Sequence, residues 1–185
     1  MLLVSNKEKK IISILLGWYR KNKRILPWRV LPKSNLPNPY YIMISEFMLQ
    51  QTTVRTVVSK FNEFINKWPN LRSLNTASEI QILKVWSGLG YYKRAKNLLK
   101  SIKIISKKHK FIIPNEYDNL IQLPGIGNYT AKAILGIAFN KPVMPVDVNI
   151  ERIIIRIYGL SESIPGIKKK IINCSTKLIS KNRSS

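Results

Sequence analysis

The sequence predicts an all-α protein, and three observations carry that prediction. Apolar residues recur at i, i+3 and i+4 along most of the 185-residue chain. No segment alternates apolar and polar residues with the period of two that a strand face needs. Capping residues and prolines punctuate the periodic stretches where helices should start. A hydrophobic content of 45% fills a real core, which excludes wholesale disorder. The length suits one domain, or two small lobes sharing a core.

Ile11, Ile12, Leu15, Leu16 and Tyr19 line one face of a first helix. Pro27 to Pro39 is a proline-rich connector, and a second helix runs from about Tyr40 to Leu49. Thr53 caps a long helix whose Val54, Val57, Val58, Phe61, Phe64, Ile65 and Trp68 form a buried stripe. Ser78 followed by Gln81 reads as a capping box for a short helix through Trp86. Ala95, Leu98, Leu99, Ile102 and Ile105 give the stripe of the next helix. Pro114-Asn115 opens another short helix, which ends at Pro124. One helix follows Gly127, and another spans about Val148 to Tyr158, with Ile153-Ile154-Ile155 as a short apolar run inside the helical pattern. From Lys168 a basic tail keeps some helical character through Ile171, Ile172 and Leu178.

Against 32 Lys and Arg the chain has 9 Asp and Glu, for a formal charge of +23. Such an excess points first to nucleic acid or an anionic membrane surface, and second to an acidic protein; an AT-rich coding bias accounts for part of it. The single cysteine, Cys174, excludes an intramolecular disulfide and any cage of several cysteines. The lone histidine, His109, lies in Lys107-Lys108-His109-Lys110 and reads as a solvated surface residue. No apolar run reaches the roughly 18 residues of a membrane span. The N-terminal stretch runs into Arg20-Lys21-Asn22-Lys23-Arg24 without a small-residue cleavage site, so an amphipathic helix fits better than a signal peptide. The chain is expected to be soluble and cytoplasmic.

Leu123-Pro124-Gly125-Ile126-Gly127-Asn128-Tyr129 lies between two helical segments. Glycine at both Gly125 and Gly127 permits positive φ and leaves no Cβ in the way, so a phosphate can approach the backbone N–H groups at a helix start. Of the nine acids, Glu63 falls on a polar helix side, and Glu79, Glu116, Asp118 and Glu151 take early helical positions, where the dipole favours them. Glu8 and Glu162 lie in charged terminal segments. Glu46 is harder to place, because Ile44-Ser45-Glu46-Phe47-Met48-Leu49 is otherwise a largely apolar helical stretch. Asp147, in Pro145-Val146-Asp147-Val148-Asn149, suits an N-cap and is compatible with catalysis as well. A buried Glu with a raised pKa and an ionised Asp suit cleavage of an N-glycosidic bond. One protonates the leaving purine and the other stabilises the oxocarbenium charge at C1′.

These segments fall in a recognisable order. Leu26-Pro27-Trp28-Arg29, Pro39-Tyr40, Ser45-Glu46-Phe47-Met48-Leu49-Gln50-Gln51-Thr52, Gly88-Leu89-Gly90-Tyr91-Tyr92-Lys93-Arg94-Ala95, Leu123 to Gly127 and Val146-Asp147-Val148-Asn149 together resemble the MutY family of adenine DNA glycosylases. That family belongs to the helix-hairpin-helix superfamily that includes endonuclease III. The resemblance runs from about residue 10 to 160. It implies a six-helix barrel lobe over 27–145, with the helix-hairpin-helix at 116–138, and an incomplete second lobe built from 1–26 and 146–185.

By that resemblance Glu46 protonates adenine, Asp147 stabilises the oxocarbenium ion or its covalent successor, and Asn149 and Tyr129 support them. Trp28 and Arg29 border the adenine pocket. Gln50, Gln51 and either Tyr91 or Tyr92 enter the duplex and fill the gap left by a flipped nucleotide, beside a phosphate-gripping Lys93, Arg94 and Lys96. Leu123, Gly125 and Gly127 form the backbone clamp. Tyr129 stands where glycosylase/lyase members carry the lysine that forms a Schiff base, and Asn149 where the endonuclease III pattern has histidine; both favour a monofunctional hydrolase. Val148 departs from the family pattern, which has glycine there.

The expected partner is double-stranded DNA with an adenine opposite guanine or oxidised guanine, bound by a monomer. The alternatives are an endonuclease III-like glycosylase/lyase and an inactive DNA-binding remnant. Full-length members carry four clustered cysteines that bind [4Fe-4S], and then a domain that recognises oxidised guanine. With Cys174 alone this chain is expected to hold no cofactor, to stop before both features, and to be less stable than its family, with weak or absent catalysis and poor selectivity for oxidised guanine.

Overall fold

The computed structural model describes residues 5–29, 36–161 and 164–179. These residues form ten α-helices, a 3-10 turn at Pro27–Arg29 and no strand. In chain order the helices are α1 (Asn6–Asn22), α2 (Pro39–Leu49), α3 (Val54–Lys67), α4 (Leu71–Asn75), α5 (Glu79–Trp86), α6 (Lys93–Lys108), α7 (Tyr117–Ile121), α8 (Asn128–Ala138), α9 (Val148–Tyr158) and α10 (Ile164–Lys177). Ile25–Asn140 forms one compact unit; Met1–Arg24 and Lys141–Ser185 form the other.

In the Ile25–Asn140 unit α2 lies at the centre, packed against α3, α6 and α8. Tyr40 and every residue from Ile42 to Met48 are buried, as a helix apolar all round requires. Asn38 starts it by accepting the Tyr40 N–H at 2.9 Å, and Pro39 supplies the preset φ of the first turn. The α3 stripe follows the expected spacing, with Val57, Phe61, Phe64 and the flanking Trp68 all buried. Phe64 meets Trp68 and Trp86 at ring separations of 4.8 and 6.3 Å. The Ser78–Gln81 capping box forms in both directions, at 2.9 and 3.2 Å.

Several local expectations change. Helix α4 has no counterpart in the sequence reading, because its five residues hold one apolar pair, Leu71 and Leu74, too short for a period to show. Helix α7 runs from Tyr117 to Ile121 rather than from Pro114 to Pro124, because Glu116 is extended and takes the cap position. Part of the Pro27–Pro39 connector, residues 30–35, lies outside the described residues, as do Glu162 and the chain beyond 179. His109 is half-buried at the end of α6 and lines a 310 Å³ depression with Ile113, Asn115 and Phe139.

In the other unit, the α1 face is largely open: Leu15 is 61% and Trp18 60% exposed. The buried α1 residue is Glu8, which the sequence placed in a charged terminal segment. Glu8 Oε2 accepts the Ser5 N–H at 2.7 Å, the Ser5 Oγ accepts the Glu8 N–H, and the Tyr158 hydroxyl donates to Glu8 Oε1 at 3.0 Å. The Ser5 bonds first, then Tyr158 and Lys177, hold the Glu8 carboxyl below the usual carboxylate range. Along α9, Ile154 is buried and Ile153 is 49% exposed, so the triple isoleucine is one helical stripe and not a strand.

Candidate active site

Helix α2 carries Glu46 among Ile44, Ser45, Phe47 and Met48, all buried, and Glu46 itself is only 8% exposed. Burial pushes its carboxyl up to about 7, and the Arg29 guanidinium pulls weakly in the other direction. A carboxyl held there is protonated in an appreciable fraction of molecules at neutral pH, which a proton donor needs. Arg29 is half-buried beside it, whereas Trp28 is 2% exposed with its ring edge-on to Phe61 at 5.3 Å. Trp28 therefore packs in the core next to Arg29, and any part it has in bordering a pocket is from the buried side.

The 123–127 turn packs on α2 and α6. Leu123 and Ile126 are buried, so Leu123 can offer a ligand only its backbone. Gly125 has φ +82°, and a Cβ there would lie 2.8 Å from the Phe47 ring and 2.9 Å from Asn97 Cβ. Gly127 differs: its φ of −93° suits any residue, and a Cβ would meet nothing within 4 Å. Positive φ is thus required at one glycine and not at both. Gly127 is the N-cap of α8 and makes no side-chain cap bond, and a helix start is where backbone N–H groups favour an anion. Tyr129 follows at the second helical position, 42% exposed.

Two further turns adjoin this one. Gln50 Nε2 donates to the Gly125 carbonyl at 3.1 Å, and Gln51, exposed, has φ +57°. Tyr91 has φ +47°, and Tyr91 and Tyr92 are 63% and 47% exposed, so neither is a core tyrosine. The phosphate-gripping trio is corrected in one member: Arg94 is buried with its guanidinium among carbonyl oxygens, whereas Lys96 is half-exposed and pairs with Glu79 at 2.9 Å.

At the head of α9, Asp147 Oδ1 accepts the Ile150 N–H at 2.8 Å and Oδ2 accepts from Asn149 Nδ2 at 3.1 Å. Asn149 Oδ1 in turn accepts from Arg152 at 3.0 Å. Asp147 is the N-cap that the sequence suggested, with its carboxylate fixed by local bonds. Val148 is the first helical residue and 75% exposed, so a valine fits where the family pattern has glycine.

Residues 44–180 match the family model described as HhH-GPD superfamily base excision DNA repair protein. The chain belongs to this superfamily. An adenine DNA glycosylase of Buchnera aphidicola (subsp. Acyrthosiphon pisum, strain APS) is 46% identical over 164 residues, covering 87% of this chain and 45% of the relative. The chain thus spans about half the length of the curated relatives it matches. Among solved structures, a thermostable thymine-DNA glycosylase superposes with a TM-score of 0.80 at 24% identity, covering 94% of this chain and 79% of that one. A trapped endonuclease III–DNA covalent intermediate gives 0.73 at 21%, covering 96% and 81%. These two share the HhH-GPD fold.

Among the described residues of this HhH-GPD chain, no three His, Cys, Asp or Glu side chains group as a metal site. Cys174, half-buried on α10, is the sole thiol of the sequence. One thiolate does not fit a four-cysteine iron–sulfur cluster, and no step of the chemistry below passes through one. No helix among the described residues is long and apolar enough to cross a membrane.

Proposed function

We propose that this chain performs the base-excision step of an adenine DNA glycosylase, acting as a cytoplasmic monomer on duplex DNA. The substrate is adenine opposite guanine or 8-oxoguanine. The observation that carries this reading is Glu46: a carboxyl buried in a largely apolar helix and raised to about 7 is a proton donor in waiting. The 46% identity to a relative named adenine DNA glycosylase supports the choice of base.

The target nucleotide leaves the stack, because C1′ and the ring nitrogens are out of reach inside a duplex. Glu46 gives its proton to a ring nitrogen of the adenine, and the electrons of the C1′–N bond follow onto the purine as that bond breaks. The Asp147 carboxylate stabilises the positive charge left on C1′, and water adds there, releasing a proton. Asn149 holds Asp147 in orientation through its 3.1 Å bond. A tyrosine at 129 has no amine to form a Schiff base, which supports hydrolysis without strand cleavage. The α8 start and the Gly127 backbone bind phosphate without reading bases.

Single-turnover adenine release from a duplex carrying adenine opposite 8-oxoguanine tests the reading. The chain should release adenine and give no borohydride-trapped adduct. Glu46→Gln and Asp147→Asn should each slow release by at least about 100-fold, with duplex affinity within about threefold of the parent. No release by the parent chain, or near-parent release by either variant, would overturn it.

A further inference from the structure

The residues assigned above to duplex entry stand on two separate turns, Gln50–Thr52 and Gly88–Tyr92, and one buried side chain reaches both. Arg94, near the start of α6, is 7% exposed. One terminal nitrogen, Nη1, donates to the carbonyls of Phe47 at 3.2 Å, Met48 at 2.8 Å and Gln50. The other, Nη2, donates to Thr52 Oγ1 at 3.1 Å and to the carbonyls of Leu89 at 2.8 Å and Gly90 at 3.1 Å. Among the described residues no carboxylate pairs with it. Its charge is met instead by the C-terminal carbonyls of α2, which lack helical partners and form the negative end of that helix. The rings of Trp86 and Tyr91 cover the guanidinium, with centroids 5.6 and 5.5 Å away.

We propose that Arg94 is a positioning residue that locks the Gln50–Thr52 and Gly88–Tyr92 turns into one rigid edge, so that the side chains entering the duplex do so in fixed register. What this edge does rests on the proposed function; that Arg94 couples the two turns does not. A buried cation is costly and has to be over-compensated, and this one lies between the two turns that hold Gln51 and Tyr91 at positive φ. Side chains other than glycine hold such angles only where their surroundings fix them. Gln50 extends the edge to the hairpin turn through the Gly125 carbonyl. Lysine would keep the charge but, as a compact point donor, could not fork between two turns.

The test uses the full chain and Arg94→Lys, with Thr52→Val as a milder second variant that removes one arm of the fork. Amide hydrogen exchange should rise by about tenfold in both turns together in Arg94→Lys, and by less but again in both in Thr52→Val, with α3 and α8 unchanged. A 2-aminopurine next to the target adenine then reports flipping. Arg94→Lys should lower the flipped fraction by about tenfold while total duplex affinity stays within about twofold, because phosphate contacts are untouched. Faster exchange in one turn only, or throughout the unit, overturns the coupling. Faster exchange in both turns with parent-like flipping overturns the positioning role. If the parent chain flips no base on any mismatch, the proposed function fails, and the exchange result still decides whether Arg94 couples the turns.

Discussion

Glu46 bears on stability as well as on chemistry. Its carboxyl titrates at about 7 in the folded chain, against an ordinary value of 4.5. The folded state therefore holds a proton that the unfolded chain has already released. The stability is fully present below the unfolded value and is lost as pH rises through 7. Glu46→Gln removes this titration. At pH 8 the variant should be more stable than the parent by about 3 kcal/mol, and near pH 4 the gap should close. Urea unfolding at the two pH values checks it; equal stability at pH 8 would mean the carboxyl is not raised. Glu46 and Asp147 were legible in the sequence because only nine acids are present and seven had ordinary places. Arg94 was not legible. At the start of a lysine-rich helix it looks like a surface residue, and the α2 carbonyls that bury it are 44 to 47 positions away. Glu8 was misplaced for the same reason, since its partner Tyr158 is remote in sequence.

Among the elements, α6 is the spine that aligns the candidate interface. Arg94 holds two turns, Asn97 packs against Gly125, and the Ser101 hydroxyl donates to the Pro124 carbonyl at 2.8 Å. This arrangement separates the two glycines of the hairpin. Gly125→Ala should destabilise the chain by about 2 kcal/mol, from the positive φ and the overlap with Phe47 and Asn97. Gly127→Val should cost only about 1 kcal/mol, for a poorer N-cap with its Cβ in open space, yet weaken binding to matched and mismatched duplexes alike by about tenfold. Thermal melts and anisotropy titrations of both variants check this; a large loss of stability in Gly127→Val would refute it. Long or well-capped helices such as α3, α5, α6 and α9 were readable from spacing and cap residues. The five-residue α4 was not, because barely one turn gives no period to detect, and α7 was read with bounds too wide at both ends.

For the whole molecule, a charge of +23 makes phosphate neutralisation the main source of affinity for the DNA proposed above as its partner. The logarithm of duplex affinity should fall linearly with the logarithm of salt concentration, at about −0.9 per phosphate neutralised. Titrations across a salt series measure the slope, and an affinity indifferent to salt would contradict the backbone-clamp reading. The unit formed from Met1–Arg24 and Lys141–Ser185 has another consequence, for how the chain is made. Glu8 and Tyr158, whose side chains bond within that unit, are 150 positions apart. A ribosome adding about 5–20 residues per second needs roughly 7–30 s to travel between them. For that interval α1 is outside the tunnel with only its Ser5–Glu8 cap in place, and a 17-residue helix alone is marginal in water. Ile25–Asn140 is contiguous and can finish folding during the wait. Helix α1 is thus made well before the rest of its unit and is among the last to find its partners, with Leu15 and Trp18 open meanwhile.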